Sequence, residues 1–167
     1  MAGHVIGIDP TDVTGATATP DFRLGTVGGF TDVTTGYKEF VYGRANGAVT
    51  GLGYVCVETT GNDFAMVTST LTTPGTAGFG SRIGMAQTAL ADNEYGWFQI
   101  YGRGTIRTTG GAAIGTRLNT TATAGTIDDD ATAGAEAIFG CVLYTLTAGA
   151  AAGGDAMLSY PTVGTTL

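Results

Sequence analysis

Ala91-Asp-Asn-Glu-Tyr-Gly-Trp-Phe-Gln-Ile-Tyr-Gly-Arg-Gly104 is the stretch of this chain densest in large side chains, and it holds the only tryptophan. Asp92, Asn93 and Glu94 read as a polar turn at its start, and Gly102 and Gly104 loosen its end. Between them Tyr95, Trp97, Gln99 and Tyr101 alternate with Gly96, Phe98 and Ile100, a period of two that belongs to a strand and not to a helix. Phe98 and Ile100 are the natural core pair. The opposite face is amphipathic, because each of its side chains carries an apolar body and a polar tip. Such a face suits a second sheet or a partner molecule, so Tyr95, Trp97 and Tyr101 are the candidates for a subunit interface.

Composition extends the strand reading to the whole chain. The 167 residues fit one domain; 29 are glycine, 43% are hydrophobic and only 13% are charged, with threonine similarly abundant. Glycine weakens helix interiors and threonine favours a pleated surface, so the expectation is a mainly β protein with a compact β-sandwich or β-barrel-like body. Alternating runs separated by glycine-bearing turns place strands at about 38–43, 53–58, 64–70, 82–88, 95–101, 104–108, 113–118, 136–146 and 156–160. The alternative for residues 83–91 is a short helix, because their apolar positions do not alternate cleanly. The core set is Val55, Val57, Phe98, Ile100, Ile138 and Val142. Residues 119–135 are small and locally acidic, which reads as a surface loop or an edge hairpin.

Residues 1–36 show no sustained period of either kind and contain Asp9-Pro10, Thr19-Pro20 and Gly28-Gly29. They read as an extended N-terminal arm, with the β-rich body over 37–167. An arm that buries little of itself is ordered by lying on another surface. Val5, Ile6, Ile8, Phe22, Leu24 and Phe30 are the apolar side chains that such a surface would hold.

Charge narrows the partners. The net charge is -7 and the pI is about 4.3, with seven basic residues scattered along the chain. No basic patch forms, so direct nucleic-acid binding and attachment to an anionic membrane are disfavoured. No segment reaches the length of a membrane span, and the N-terminus lacks the basic start of a signal peptide. The expectation is a soluble protein made in the cytoplasm.

The chemical inventory is thin. The sole histidine, His4, lies in the arm, and none of Ser69, Ser81 and Ser159 sits in a Gly-x-Ser-x-Gly turn. Lys38 is the single lysine, and no neighbour in sequence marks it or either cysteine as an activated nucleophile. Asp128-Asp129-Asp130 is the one acidic run, but it lacks the alternating spacing of a calcium loop and reads as a solvated turn. No phosphate-binding glycine pattern occurs. Cys56 and Cys141 each lie in an apolar run and read as buried thiols, with a disulfide between them left open. The expectation is a protein that is not an enzyme and that needs no cofactor or metal. Tyr95, Trp97 and Tyr101 also match an aromatic sugar platform, so a carbohydrate-binding module is the alternative.

The segment Arg82-Ile-Gly-Met-Ala-Gln-Thr-Ala-Leu-Ala-Asp-Asn-Glu-Tyr-Gly-Trp-Phe-Gln-Ile-Tyr-Gly102 resembles the capsid decoration, or head cement, proteins of tailed bacteriophages. The likeness continues more loosely at Thr121-Ala-Thr-Ala-Gly-Thr-Ile-Asp128 and the apolar strand after it. The resemblance implies a small β-rich body, commonly a homotrimer, that sits on the outer capsid surface, clamps adjacent capsomers of the major capsid protein, and has no enzymatic activity. Its place would be the virion.

Overall fold

The computed structural model of the chain describes residues 8–130, 132–145 and 153–164. It is built almost wholly of strands: β1 (Val27–Asp32), β2 (Gly36–Ala45), β3 (Val55–Glu58), β4 (Asp63–Met66), β5 (Ile83–Ala86), β6 (Tyr95–Arg107), β7 (Leu118–Thr120), β8 (Ile127–Asp128), β9 (Ala137–Leu143) and β10 (Gly153–Val163), preceded by one 3-10 turn at Asp12–Thr14. The pairing order is β1-β2-β4-β3-β5-β6-β10-β9-β7-β8, and β2 also pairs with β6.

That extra pairing closes a ring. From β2 the pairing runs through β4, β3 and β5 to β6 and returns to β2, with β2–β4 parallel and the others antiparallel. Arg44 and Asp63 stand opposite each other at the parallel contact. The guanidinium donates through Nε to Oδ1 at 2.9 Å and through Nη2 to Oδ2 at 2.6 Å, a two-pronged pair that fixes the register there. The ring's interior is Val41, Ala45, Cys56, Phe64, Ala86, Phe98 and Ile100, the every-second-residue set that alternation demands. Phe64 and Phe98 stack with centroids 4.3 Å apart. Space for them comes from glycine: a Cβ on Gly43 would lie 2.5 Å from the Phe64 ring, and one on Gly84 would lie 2.6 Å from Phe98 Cβ. A narrow β-ring fills its centre by setting small residues against large ones.

A second closure uses the far half of β6. It pairs with β10, which pairs with β9, then β7 and β8, and a bridge from Thr108 to Ile127 returns β8 to the end of β6. The outward residues of β3 and β5 (Val55, Val57, Ile83, Met85) pack against Ile106, Leu118, Ile127, Leu143 and Leu158 of this second half. The body is thus layered, and β6 is common to both closures.

Several expectations are corrected. The runs at 95–101 and 104–108 are one strand, because the glycines between them bend β6 without ending it. The strand expected at 82–88 is present as residues 83–86, held between β3 and β6, so the alternative of a short helix over 83–91 is the part corrected. The run at 113–118 is a loop up to Leu118. The stretch 119–135 is a hairpin end as expected, but Asn119, Thr120, Thr126 and Ile127 are buried, so it is not a solvated loop. Val142 is 44% exposed and Cys141 takes its place in the core. The reason is Gly140, at φ +71°, which stands opposite an irregularity in β10 between Leu158 and Thr162. Ser159, Tyr160 and Pro161 stand against Gly140 alone, and the left-handed turn of the backbone at Gly140 shifts the alternation of β9 by one, so Ile138 and Val142 fall on opposite faces.

The segment 1–36 also differs from an extended arm over its described part. β1 is a full strand of the sheet, paired with β2 from Val27 opposite Val41 to Asp32 opposite Gly36. Residues 8–26 lie against the outer side of β2 and β6, held by backbone bonds between Thr17 and Tyr95 and between Gly25, Thr26 and Tyr42. Val5 and Ile6 lie outside the described residues.

Candidate interaction surface

The aromatic side chains separate into two groups, and β6 contributes to both. Tyr95 and Trp97 face outward from the ring beside Phe40 and Tyr42, where Ile8, Val13, Phe22, Leu24 and Phe30 cover them. Phe22 meets Trp97 edge-on at 5.1 Å and Tyr42 at 5.3 Å. Tyr42 keeps its polar tip satisfied: its hydroxyl accepts from the Asp21 backbone N–H at 3.1 Å and lies 3.3 Å from Thr17 Oγ1. Trp97 is 1% exposed. Four of the six residues expected to hold a capsid, Ile8, Phe22, Leu24 and Phe30, therefore pack on the protein's own body. A cavity of about 190 Å³ remains at the edge of this layer, lined by Asp12, Thr17, Asp21, Phe22, Tyr42 and Tyr95 and reaching Trp97.

Tyr101 does not share that layer. Phe40 stands opposite Gln99 but Glu39 stands opposite Tyr101, so β6 places two residues against one at this point. The extra residue turns Tyr101 to the other face. Gln99 remains buried, its amide donating to the Tyr101 and Arg103 carbonyls at 3.0 and 3.2 Å. Tyr101 instead joins Tyr37 (centroids 6.2 Å) and Tyr160 (5.2 Å) at the surface. The Tyr160 hydroxyl donates to Glu39 Oε2 at 2.7 Å, and that bond, with a smaller effect of burial, pushes the phenol up to about 12. Burial and then Glu39 raise Tyr37 as well. Tyr160 sits at φ +49°, a left-handed conformation that a bulky residue seldom adopts, and Gly140 leaves room for the backbone of Ser159 and Pro161 on either side of it.

From this tyrosine group the outer face continues across β10 and β9. Arg103, Met157 and Val142 form one row, with Tyr144 beside it and Phe139 opposite Thr162. Arg103 Nη2 pairs with Asp155 Oδ2 at 2.6 Å, both side chains being 42% exposed. Sequence reasoning missed Tyr37, Phe139, Tyr144, Met157 and Tyr160. The alternation of Met157 and Ser159 was visible, but the irregularity that presents Tyr160 leaves no local pattern beyond Tyr-Pro.

The remaining candidate chemistry is structural. Asp128 accepts from the Thr109 hydroxyl, and Asp129 Oδ2 accepts from the Ala113 N–H at 3.1 Å, so these carboxylates hold loops together. Among the described residues no group of three or more acidic, histidine or cysteine side chains is arranged to hold a metal. Cys56 and Cys141 are free, lie in different apolar clusters, and are pushed up by burial, Cys141 to about 12. A second cavity, about 300 Å³, is bordered by Lys38, Gln87, Gln99, Arg103 and Asp155. No helix among the described residues is long and apolar enough to cross a membrane. No protein-family model matches the chain, and a comparison with curated proteins finds no match.

Proposed function

We propose that this chain is a non-enzymatic decoration protein that binds the major capsid protein on the outer surface of a phage head and stabilises the shell by bridging adjacent capsomers, acting as a closed oligomer such as a trimer. The observation that carries the reading is the position of the decoration-like stretch. Residues 82–102 supply β5 and the first half of β6, the strand to which β2, β5 and β10 all pair. The likeness therefore lies in the frame of the fold and not in a detachable tail. A rigid β body with one broad exposed apolar face also suits work done by contact area. Many identical copies, each binding modestly, gain a factor of roughly 10² to 10⁴ through effective concentration when several sites engage together.

The test incubates undecorated capsids with the full-length protein and counts bound copies while following the temperature of DNA release. Saturable binding with a raised release temperature supports the reading, and no binding at micromolar protein overturns it. A truncation that removes residues 1–7, and with them Val5 and Ile6, separates a contribution of the N-terminus from that of the body.

A carbohydrate-binding module is the second reading, favoured by one observation. Tyr37, Tyr101 and Tyr160 offer ring faces to the apolar side of a sugar, and Glu39 beside them offers an acceptor to its hydroxyls. Binding in a glycan screen that disappears in Tyr101→Ala would favour it over the capsid reading.

A further inference from the structure

We infer that the exposed face of β6, β10 and β9 is a self-association surface, covered by a second copy of this chain. Six large apolar side chains share it: Tyr37, Phe139, Val142, Tyr144, Met157 and Tyr160, each between 37% and 51% exposed. A buried aromatic side chain accounts for about 150–250 Å², so four half-exposed rings with Val142 and Met157 present on the order of 500 Å² of apolar surface. That is near the upper end for the largest patch on an ordinary monomer, roughly 300–600 Å². It also equals the apolar share of one side of a standard interface, about 800 Å² of which some 60% is nonpolar.

Charge points to the same occupant. The chain has a net charge of -7, yet this face holds both signs: Arg103 in the Met157 row, paired with the half-exposed Asp155 two residues along β10, and Glu39 at the tyrosine end. A face with a cation toward one end and carboxylates at both complements another copy of itself, Arg103 of one meeting Glu39 or Asp155 of the next. The backbone reinforces this presentation. Tyr160 is fixed in a left-handed conformation by the irregularity opposite Gly140, and its hydroxyl is tied to Glu39, so the central ring is pre-positioned and loses little freedom on contact.

This inference names the surface of the closed oligomer in the proposed function and rests on that part of it; it does not depend on capsid binding, and its test uses no capsids. Sedimentation equilibrium of the full chain from about 1 to 100 µM gives the stoichiometry and the association constant. The expected result is a closed oligomer. Val142→Asp and Met157→Glu each weaken association by about 10- to 100-fold, while Met157→Leu and Val33→Asp, the latter fully exposed in the turn between β1 and β2, leave it unchanged. Far-ultraviolet circular dichroism and thermal midpoints of the four variants show that the protomer remains folded. A monomer across the whole range, or an oligomer indifferent to Val142→Asp and Met157→Glu, overturns the inference. A monomer that nonetheless decorates capsids removes this inference and the closed-oligomer part of the proposed function, and leaves capsid binding standing.

Discussion

Trp97 and Tyr101 are four residues apart on one strand, both aromatic and both polar at the tip, yet one is sealed and the other lies at the surface. Around Trp97 the protein covers its own aromatic layer: residues 8–26 cross the outer side of β2 and β6 and seat Phe22 against two rings. Around Tyr101 no described segment crosses, and Tyr37 and Tyr160 remain about half exposed. The amphipathic character of a ring thus does not decide its role. What decides is whether another stretch of chain has the length and anchors to reach it, and here the backbone bonds at Thr17, Gly25 and Thr26 supply those anchors on one side only.

The comparison breaks first if the ring between the two faces is not the rigid frame it is taken to be. Phe98→Ala removes a fully buried ring stacked on Phe64 and is expected to cost about 3–5 kcal/mol, read from denaturant unfolding. A loss under about 1 kcal/mol would mean that the ring collapses around the gap and does not hold the faces apart.

Gly140→Ala comes next and acts on the exposed side alone. The position has φ +71°, and a Cβ there would stand 2.5 Å from the Ser159 carbonyl oxygen. The expected loss is about 1–3 kcal/mol, with a change in the tyrosine near-ultraviolet circular dichroism. An unchanged spectrum would show that the Tyr160 geometry does not depend on Gly140.

On the covered side, Phe22→Ala is expected to cost about 1–2 kcal/mol, less than a fully buried phenylalanine because Phe22 is half-buried. Trp97 is the only tryptophan, so its emission reports the cover directly. Deleting residues 1–24 should shift that emission to longer wavelength and admit a soluble quencher. Emission that stays blue and protected would mean that the body seals Trp97 without the N-terminal segment.

The smallest effect concerns the Tyr160–Glu39 bond. The folded value, about 12, lies above the ordinary 10.0, so the folded protein holds this proton more tightly than the unfolded chain does. The bond's stabilisation is therefore complete below about pH 10 and is lost as pH rises through about 12. A difference titration of phenolate absorbance between the parent and Tyr160→Phe should show this late transition, and Glu39→Gln should bring it back toward the ordinary range. A Tyr160 transition that ignores Glu39→Gln would place the cause elsewhere.

Local order was legible in the sequence because it follows from neighbours along the chain. Alternation in 95–101 put Phe98 and Ile100 in the core and Trp97 on the opposite side, and the glycine-rich, threonine-rich composition gave a mainly β chain. The runs containing Val55 and Val57 were strands for the same reason. Those readings need only the period of a strand and the preference of apolar groups to leave water. Failures began wherever the period was interrupted. Gly140 and the two-against-one step at Glu39 each shift the alternation by one residue, and such a shift exchanges the inside and outside of everything beyond it. Val142 and Tyr101 lie just past those two steps.

The N-terminal segment illustrates the other limit. Its lack of a sustained period read as an extended arm, but period cannot distinguish a chain that reaches out from one that folds back. The sequence by itself determined strands, their two faces and an acidic, lysine-poor surface, because propensity, alternation and charge are properties of residues and their near neighbours. Only the tertiary structure decided that β2 closes onto β6, that residues 8–26 cover Trp97, and that Tyr37, Tyr101 and Tyr160 meet beside Glu39. Tyr37 and Tyr160 are 123 positions apart, and what joins them is the register of three strands and two local irregularities, which no stretch of the chain specifies alone.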